Sequence, residues 1–185
     1  MQLKLAENEA RMANYNSVIL ENLNLKETLG RKNSKTNMVL SAILSKPNQS
    51  SYDTLIIDVG IEQGIKEGNT VFALGNIPVG AIAKTYLHSS TVKLFSTSGE
   101  KTQAVVSGNI YLELVGRGGG NFEMIIPADF KLVKGDEVVL PGITPYVLAI
   151  TETMISDPRD SAVKALLVSP VNIQELKFVQ VETSP

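Results

Sequence analysis

The sequence predicts a mainly β protein: an N-terminal coiled-coil helix followed by two small six-stranded β-barrels. Three observations carry this. Residues 1–30 hold no Pro and no Gly before Gly30, and place apolar side chains at heptad spacing. From residue 38 onward, short apolar runs are punctuated by Gly, Pro, Asn and Asp turns, the pattern of small barrels or a sandwich. Finally, the β part states one pattern twice.

In the helix, Leu5, Met12 and Ile19 occupy a positions, and Asn8, Tyr15, Asn22 and Leu29 follow at d. Asn at two d positions weakens the seam but fixes its register. An isolated helix of this length is marginal in water, so it needs a partner. A parallel homodimer through Leu5, Met12, Tyr15, Ile19, Asn22 and Leu29 is one answer, and an amphipathic helix lying on its own β-domain is the other. The heptad favours the homodimer. Gly30 is a natural C-cap, and Arg31 and Lys32 suit the negative end of the helix dipole. Residues 31–37 form a polar linker.

Twelve strands are expected: about 38–44, 54–58, 70–74, 78–86, 91–96 and 103–107, then about 110–115, 122–126, 136–140, 146–155, 162–168 and 176–182. The organising stretch is 54–82, where Gly60, Gly64 and Gly68 punctuate a loop and Gly75-Asn76 marks a hairpin. Displaced by 67 positions, Gly68, Val71, Gly75 and Pro78 fall on Gly135, Val138, Gly142 and Pro145. With four further residues allowed, Ser90–Lys93 meets Ser161–Lys164, and upstream Ile56-Ile57 resembles Ile125-Ile126. A duplication makes barrel 1 residues 38–108 and barrel 2 residues 109–185, with exchange of strands between them left open. The rival explanation is chance alignment of Gly-x-x-Val loops. Halves of roughly 72 residues are marginal alone, so they are expected to share an interface. A groove between them would be rimmed by loops outside the repeated core, 116–121 and 156–160. Arg117, Asn121, Arg159 and Asp160 are therefore the candidate partner-binding residues.

Bulk composition narrows the function. The 185 residues carry a net charge of −2, so no field favours nucleic acid. Cysteine is absent, which excludes disulfides and thiol chemistry. No run of about 18 apolar residues occurs to span a membrane, and no signal peptide opens the chain.

Three tempting chemistries fail on spacing. Gly116-Arg117-Gly118-Gly119-Gly120-Asn121 invites a phosphate-loop reading, but a strand follows it instead of a helix N-terminus, and no Gly-Lys-Ser/Thr is present. A wide, flexible hairpin is expected there. Paired six-stranded barrels suggest a chymotrypsin-like serine hydrolase, yet His88 is the single histidine, and no serine lies in a nucleophile context. One His with scattered Asp and Glu gives no metal-ligand spacing, and no cofactor motif is present. Asp157 and Asp160 read as solvated turn residues. A secretion or efflux adaptor also joins coiled coils to β-domains, but it should show a helical hairpin, and one helix is visible here.

Several segments together resemble a known family. Leu20-Glu21-Asn22-x-x-Leu25 precedes the polar linker, followed by Leu55-Ile56-Ile57-Asp58-x-Gly60 and Gly64-Ile65-x-x-Gly68-x-x-Val71. Val79-Gly80-x-Ile82, Ser89–Leu94, Gly116-x-Gly118, Ile126-Pro127 and Gly135-Asp136-x-Val138-Val139 complete the order. Over nearly the whole chain this is similar to the extracytoplasmic part of MreC, the bacterial rod shape-determining family. Leu140-Pro141-Gly142 departs from the Thr-Ser-Gly usual there, and the Gly- and Pro-containing stretch that follows is short. The resemblance implies a non-enzymatic scaffold, anchored at the outer face of the bacterial inner membrane by a transmembrane helix upstream of residue 1. It also implies partners: a penicillin-binding synthase, RodA, MreD and the MreB-linked complex.

Overall fold

Each predicted strand is present, and the turn residues end them where expected. The structure is a computed structural model. It describes residues 37–47, 53–106, 110–142, 144–156 and 161–183, together with Met12, Tyr15 and Val18. The strands are β1 (Asn37–Ser45), β2 (Thr54–Ile57), β3 (Thr70–Ala73), β4 (Ile77–Thr85), β5 (Ser90–Leu94) and β6 (Lys101–Val106). They continue as β7 (Ile110–Gly118), β8 (Asn121–Pro127), β9 (Glu137–Leu140), β10 (Tyr146–Ser156), β11 (Ala162–Val168) and β12 (Phe178–Thr183). Alternation sorts their side chains: in β8, Phe122, Met124 and Ile126 are buried, and Asn121, Ile125 and Pro127 are exposed.

The strands close into two barrels, but not at the boundary expected from chain order. Around the first barrel the order is β1-β12-β3-β4-β5-β2, and around the second it is β7-β6-β9-β10-β11-β8. The division at residues 38–108 and 109–185 is therefore corrected: β6 belongs to barrel 2, and β12 returns to close barrel 1. Read side by side, the two circuits match strand for strand. β1 through β5 correspond to β7 through β11, and β12 fills in barrel 1 the slot that β6 fills in barrel 2. Each copy of the repeat thus gives its sixth strand to the other. The physical reason is that five strands leave an unpaired slot, and an antiparallel strand with the right alternation satisfies it from either half.

Equivalent hydrogen bonds confirm the match. Asn69 Oδ1 accepts from Lys66 N at 2.7 Å, as Asp136 Oδ2 accepts from Val133 N at 2.9 Å. Gly68 N donates to Ile82 O at 2.8 Å, as Gly135 N donates to Thr151 O at 2.8 Å. Both glycines sit at positive φ, 88° and 95°, which explains why Gly recurs at that point. A β-bulge lies between Ile82 and Lys84 in one barrel and between Thr151 and Thr153 in the other.

This geometry keeps the pairs Gly68/Gly135 and Val71/Val138, and Gly75 and Gly142 each stand two residues past the ends of β3 and β9, but the remaining matches shift. The β9–β10 connection is two residues longer than that between β3 and β4, so Pro78 corresponds to Val147 and not to Pro145. The strand pairings also match Ile57 to Met124 and Val92 to Leu167, in place of Ile126 and Val163.

Each barrel has its own core. Leu55, Ile57, Val71, Val92 and Leu94 pack in barrel 1 with Val171, Ile173, Leu176, Val179 and Val181 from the returning C-terminal segment. Ala104 and Val106 of β6 pack in barrel 2 with Leu114, Met124, Ile126, Leu148 and Leu167.

Candidate functional site at the barrel junction

Where the chain crosses between barrels, backbone groups are consumed in holding them together. The β7–β8 connection is a hairpin, as expected, but not a wide one: Gly118 pairs with Asn121 across the two-residue turn Gly119-Gly120, and the stretch is docked against the junction. Gly119 N donates to Asp53 Oδ2 at 2.7 Å, and Gly118 N donates to Ser96 O at 2.6 Å. Gly116 N donates to Glu100 O at 2.8 Å, and Gly116 O accepts from Gly99 N at 3.0 Å. Ser169 N donates to Gly120 O at 2.7 Å at the second crossing. A Cβ on Gly116 would stand 2.2 Å from Thr97 O, so only glycine allows the two segments to approach this closely. Three amides of the stretch that suggested an anion cradle, those of Gly116, Gly118 and Gly119, are spent on the protein's own oxygens.

A second contact joins the barrels at β3 and β10. The rings of Phe72 and Tyr146 meet edge to face, with centroids 4.8 Å apart. Burial, and secondarily the Glu182 carboxylate from β12, push the Tyr146 phenol above its ordinary pKa. Both causes disfavour the phenolate, so Tyr146 presents a neutral hydroxyl at the seam.

The candidate partner residues are distributed unevenly about this junction. Arg117 forms an ion pair with Glu123 at 3.3 Å, and Lys164 approaches the same carboxylate at 3.5 Å. Asn121 Nδ2 donates to Gly118 O at 3.0 Å, closing its own hairpin. Arg159 and Asp160 lie outside the described residues. Among the dimerisation candidates, Met12 and Tyr15 are helical and exposed, as is Val18 beside the seam. Leu5, Ile19, Asn22 and Leu29 lie outside the described residues. Sequence reasoning missed Asp53, whose carboxylate pins the glycine hairpin from across the junction. No local pattern marks it, because the two segments are far apart in the chain.

The histidine weighed for hydrolysis, and a serine close to it in the chain, are engaged otherwise. His88 Nδ1 lies 3.0 Å from Glu62 on a surface loop, with the histidine side chain 70% exposed. Ser90 is buried, and its hydroxyl donates to Val59 O at 2.7 Å. A serine committed to a backbone carbonyl within the core is no nucleophile. Among the described residues, no group of three or more His, Cys, Asp or Glu converges to hold a metal.

Comparison with protein families matches residues 43–182 to the model described as "Rod shape-determining protein MreC, barrel core". This chain belongs to the MreC family. Solved structures share the architecture. MreC from Listeria monocytogenes is 23% identical, with a TM-score of 0.74 over 98% of this chain and 94% of that one. MreC from Pseudomonas aeruginosa is 16% identical, with a TM-score of 0.71 over 78% of this chain and 98% of that one. A further structure, titled the major periplasmic domain from the cell shape-determining filament MreC, is 14% identical at a TM-score of 0.63, covering 83% of this chain and 99% of that one. No match was found among curated proteins. Among the described residues no helix is long and apolar enough to cross a membrane. The MreC family assignment fixes the coarse role, rod shape determination, and the paired six-stranded barrels fit it.

Proposed function

We propose that this chain is the extracytoplasmic part of a membrane-anchored, non-enzymatic scaffold that organises peptidoglycan synthases during rod elongation. The observation that carries this reading is the family match across the barrel core, residues 43–182. The junction supports it, since the polar groups there are used to lock two barrels together and not to form a reacting centre. A solved relative is titled a periplasmic domain, which supports placement outside the inner membrane, with an anchoring helix upstream of residue 1.

The scaffold works as a homodimer through the N-terminal helix, which gives two weak docking sites the strength of one bivalent site. Its partners are a penicillin-binding synthase and the RodA, MreD and MreB-linked complex, received at the groove between the barrels. Arg159 and Asp160 contact them, and Arg117 and Asn121 shape the rim.

The test is rescue of a rod-shaped bacterium lacking its own MreC. The full-length protein carrying this chain should restore rods, and His88→Ala should restore them equally, because no proton transfer depends on that side chain. Loss of rescue with a measurable hydrolase activity that needs His88 would instead favour the serine-hydrolase reading. Ile19→Lys puts a charge at the centre of the seam. It should give a monomer by sedimentation and round cells, with an unchanged β-sheet circular dichroism spectrum. A wild-type chain that sediments as a monomer at tens of micromolar would refute the homodimer.

A further inference from the structure

The outer face of β12, β1 and β2 in barrel 1 is apolar. Leu40 and Leu44 are 63% and 62% exposed, Phe178 is 56% exposed and Ile56 is 41% exposed. They are contiguous: Phe178 is paired with Ala42, midway between the two leucines, and Ile56 is paired with Ser45. On the matching face of barrel 2, Glu113 takes the place of Ala42, Glu123 that of Ile56 and Gln103 that of Phe178. Glu113 is paired with Lys101, and Glu123 with Arg117 and Lys164. The fold itself therefore does not require apolar side chains at these positions, and a patch of this kind marks an interaction surface.

The charges around the patch are of one sign where they are free. Lys177 directly precedes Phe178, Lys46 lies two residues past Leu44, and Lys84 is reached from Ile56 across Thr91 in the same row of the sheet. Lys46 Nζ donates to the neutral carbonyl of Gln174 at 2.6 Å, and Lys84 lies over the Tyr86 ring. Among the described residues none of these three lysines is in an ion pair. The neighbouring carboxylates are committed elsewhere. Asp58 accepts from Ser41 Oγ and from Ala42 N, both at 2.8 Å, and Glu175 accepts from Asn172 Nδ2 at 2.9 Å. Glu182 acts on the Tyr146 phenol at the barrel seam. The shape of the face also selects its occupant. It lies on the outside of a closed barrel, so it is convex and offers no pocket to an anchor residue from a protein. A fluid bilayer needs no pocket.

We infer that this face docks on an anionic phospholipid bilayer. Leu40, Leu44, Ile56 and Phe178 enter the boundary between headgroups and acyl chains, and Lys46, Lys84 and Lys177 reach the phosphates along their aliphatic stems. Four apolar side chains make a reversible contact, which orients the barrels at a surface and does not replace an anchor. The docking is independent of the homodimer and of the protein partners proposed above.

The chain contains no tryptophan, so Phe178→Trp places a single indole on the face. In the full chain its emission should shift to the blue on addition of vesicles of phosphatidylglycerol and phosphatidylcholine in equal parts, and brominated acyl chains should quench it. Gln103→Trp, on the matching face of barrel 2, should show neither effect. In co-sedimentation with the same vesicles, Leu44→Glu with Phe178→Glu should lower the partition coefficient roughly tenfold or more. Lys84→Gln with Lys177→Gln should lower it by about as much, an effect lost on vesicles of phosphatidylcholine alone. Tyr111→Glu, at the position of Leu40 in barrel 2, should leave binding unchanged. Wild-type protein that ignores the vesicles overturns the docking, as does vesicle binding that the double glutamate variant fails to weaken. A fall in the melting temperature of that variant would show the face to be covered within the folded chain, with the same consequence. If the variant instead turns a wild-type dimer into a monomer, or loses a penicillin-binding synthase, while its vesicle binding is unchanged, the face belongs to that protein and not to lipid.

Discussion

Ending the chain at Lys177 is expected to unfold barrel 1 while leaving barrel 2 folded. β12 is the sixth strand of barrel 1, lying between β1 and β3. Its Val179 and Val181 are 1% and 0% exposed in the barrel 1 core. Each valine contributes about 1.5–3 kcal/mol by burial. Their loss alone is comparable with much of the roughly 5–15 kcal/mol that holds a domain folded. Removing β12 also opens the barrel at two strands at once, leaving unpaired amides and carbonyls on β1 and β3. Barrel 2 is drawn from the contiguous run Lys101–Val168 and loses no strand. Limited proteolysis of the truncated chain should therefore leave a resistant core from about residue 100 to residue 170, with the preceding strands digested. Circular dichroism should show roughly half of the cooperative unfolding amplitude lost. A truncated chain that melts as one transition within a few degrees of the full chain would show that β12 does not close barrel 1.

The strands themselves were legible because two local signals agree along the β part. Alternation of apolar and polar residues gives each strand its inward face, and turn residues mark its ends. Neither signal says which barrel a strand joins. β6 and β12 carry the same kind of pattern, with Ala104 and Val106 inward in one and Val179 and Val181 inward in the other. Chain order then suggests the nearest slot, and the structure uses the distant one. The repeat was legible where a backbone conformation demanded glycine, at Gly68 and Gly135. It was misaligned past the β9–β10 connection, whose two additional residues break a constant spacing. At Ser90–Lys93, similar residue types in the wrong register outweighed the true correspondence of Val92 with Leu167. Asp53 and the glycine hairpin show the other limit. Their partnership exists only after the barrels have been brought together, so neither segment alone announces it.

Gly116→Ala is expected to be among the most damaging single methyl additions in the β part. The added Cβ would lie 2.2 Å from Thr97 O, 2.6 Å from Ser96 C and 2.7 Å from Ser96 O, all of them backbone atoms. No rotamer change can relieve such a clash, so the Ser96–Gly99 crossing must move away from β7. That movement loosens the Gly118 N to Ser96 O and Gly99 N to Gly116 O bonds, which tie the crossing to the hairpin. Overpacking of this kind costs typically 1–3 kcal/mol, and backbone hydrogen bonds contribute about 1 kcal/mol each. A loss of about 2–4 kcal/mol follows, or a fall in melting temperature of roughly 5–15 °C for a unit of this size. Gly119→Ala is the control. Its φ of 61° strains an alanine, but the nearest atom to the new Cβ is Asn121 Nδ2 at 3.7 Å. Only the left-handed backbone penalty of about 1–2 kcal/mol applies there. The two variants, measured side by side by thermal unfolding, separate close approach from backbone conformation as the reason for glycine in this loop. If Gly116→Ala melts at or above Gly119→Ala, the hairpin does not pack on the crossing as described, and the rigid connection between the barrels must come from the Phe72–Tyr146 contact instead.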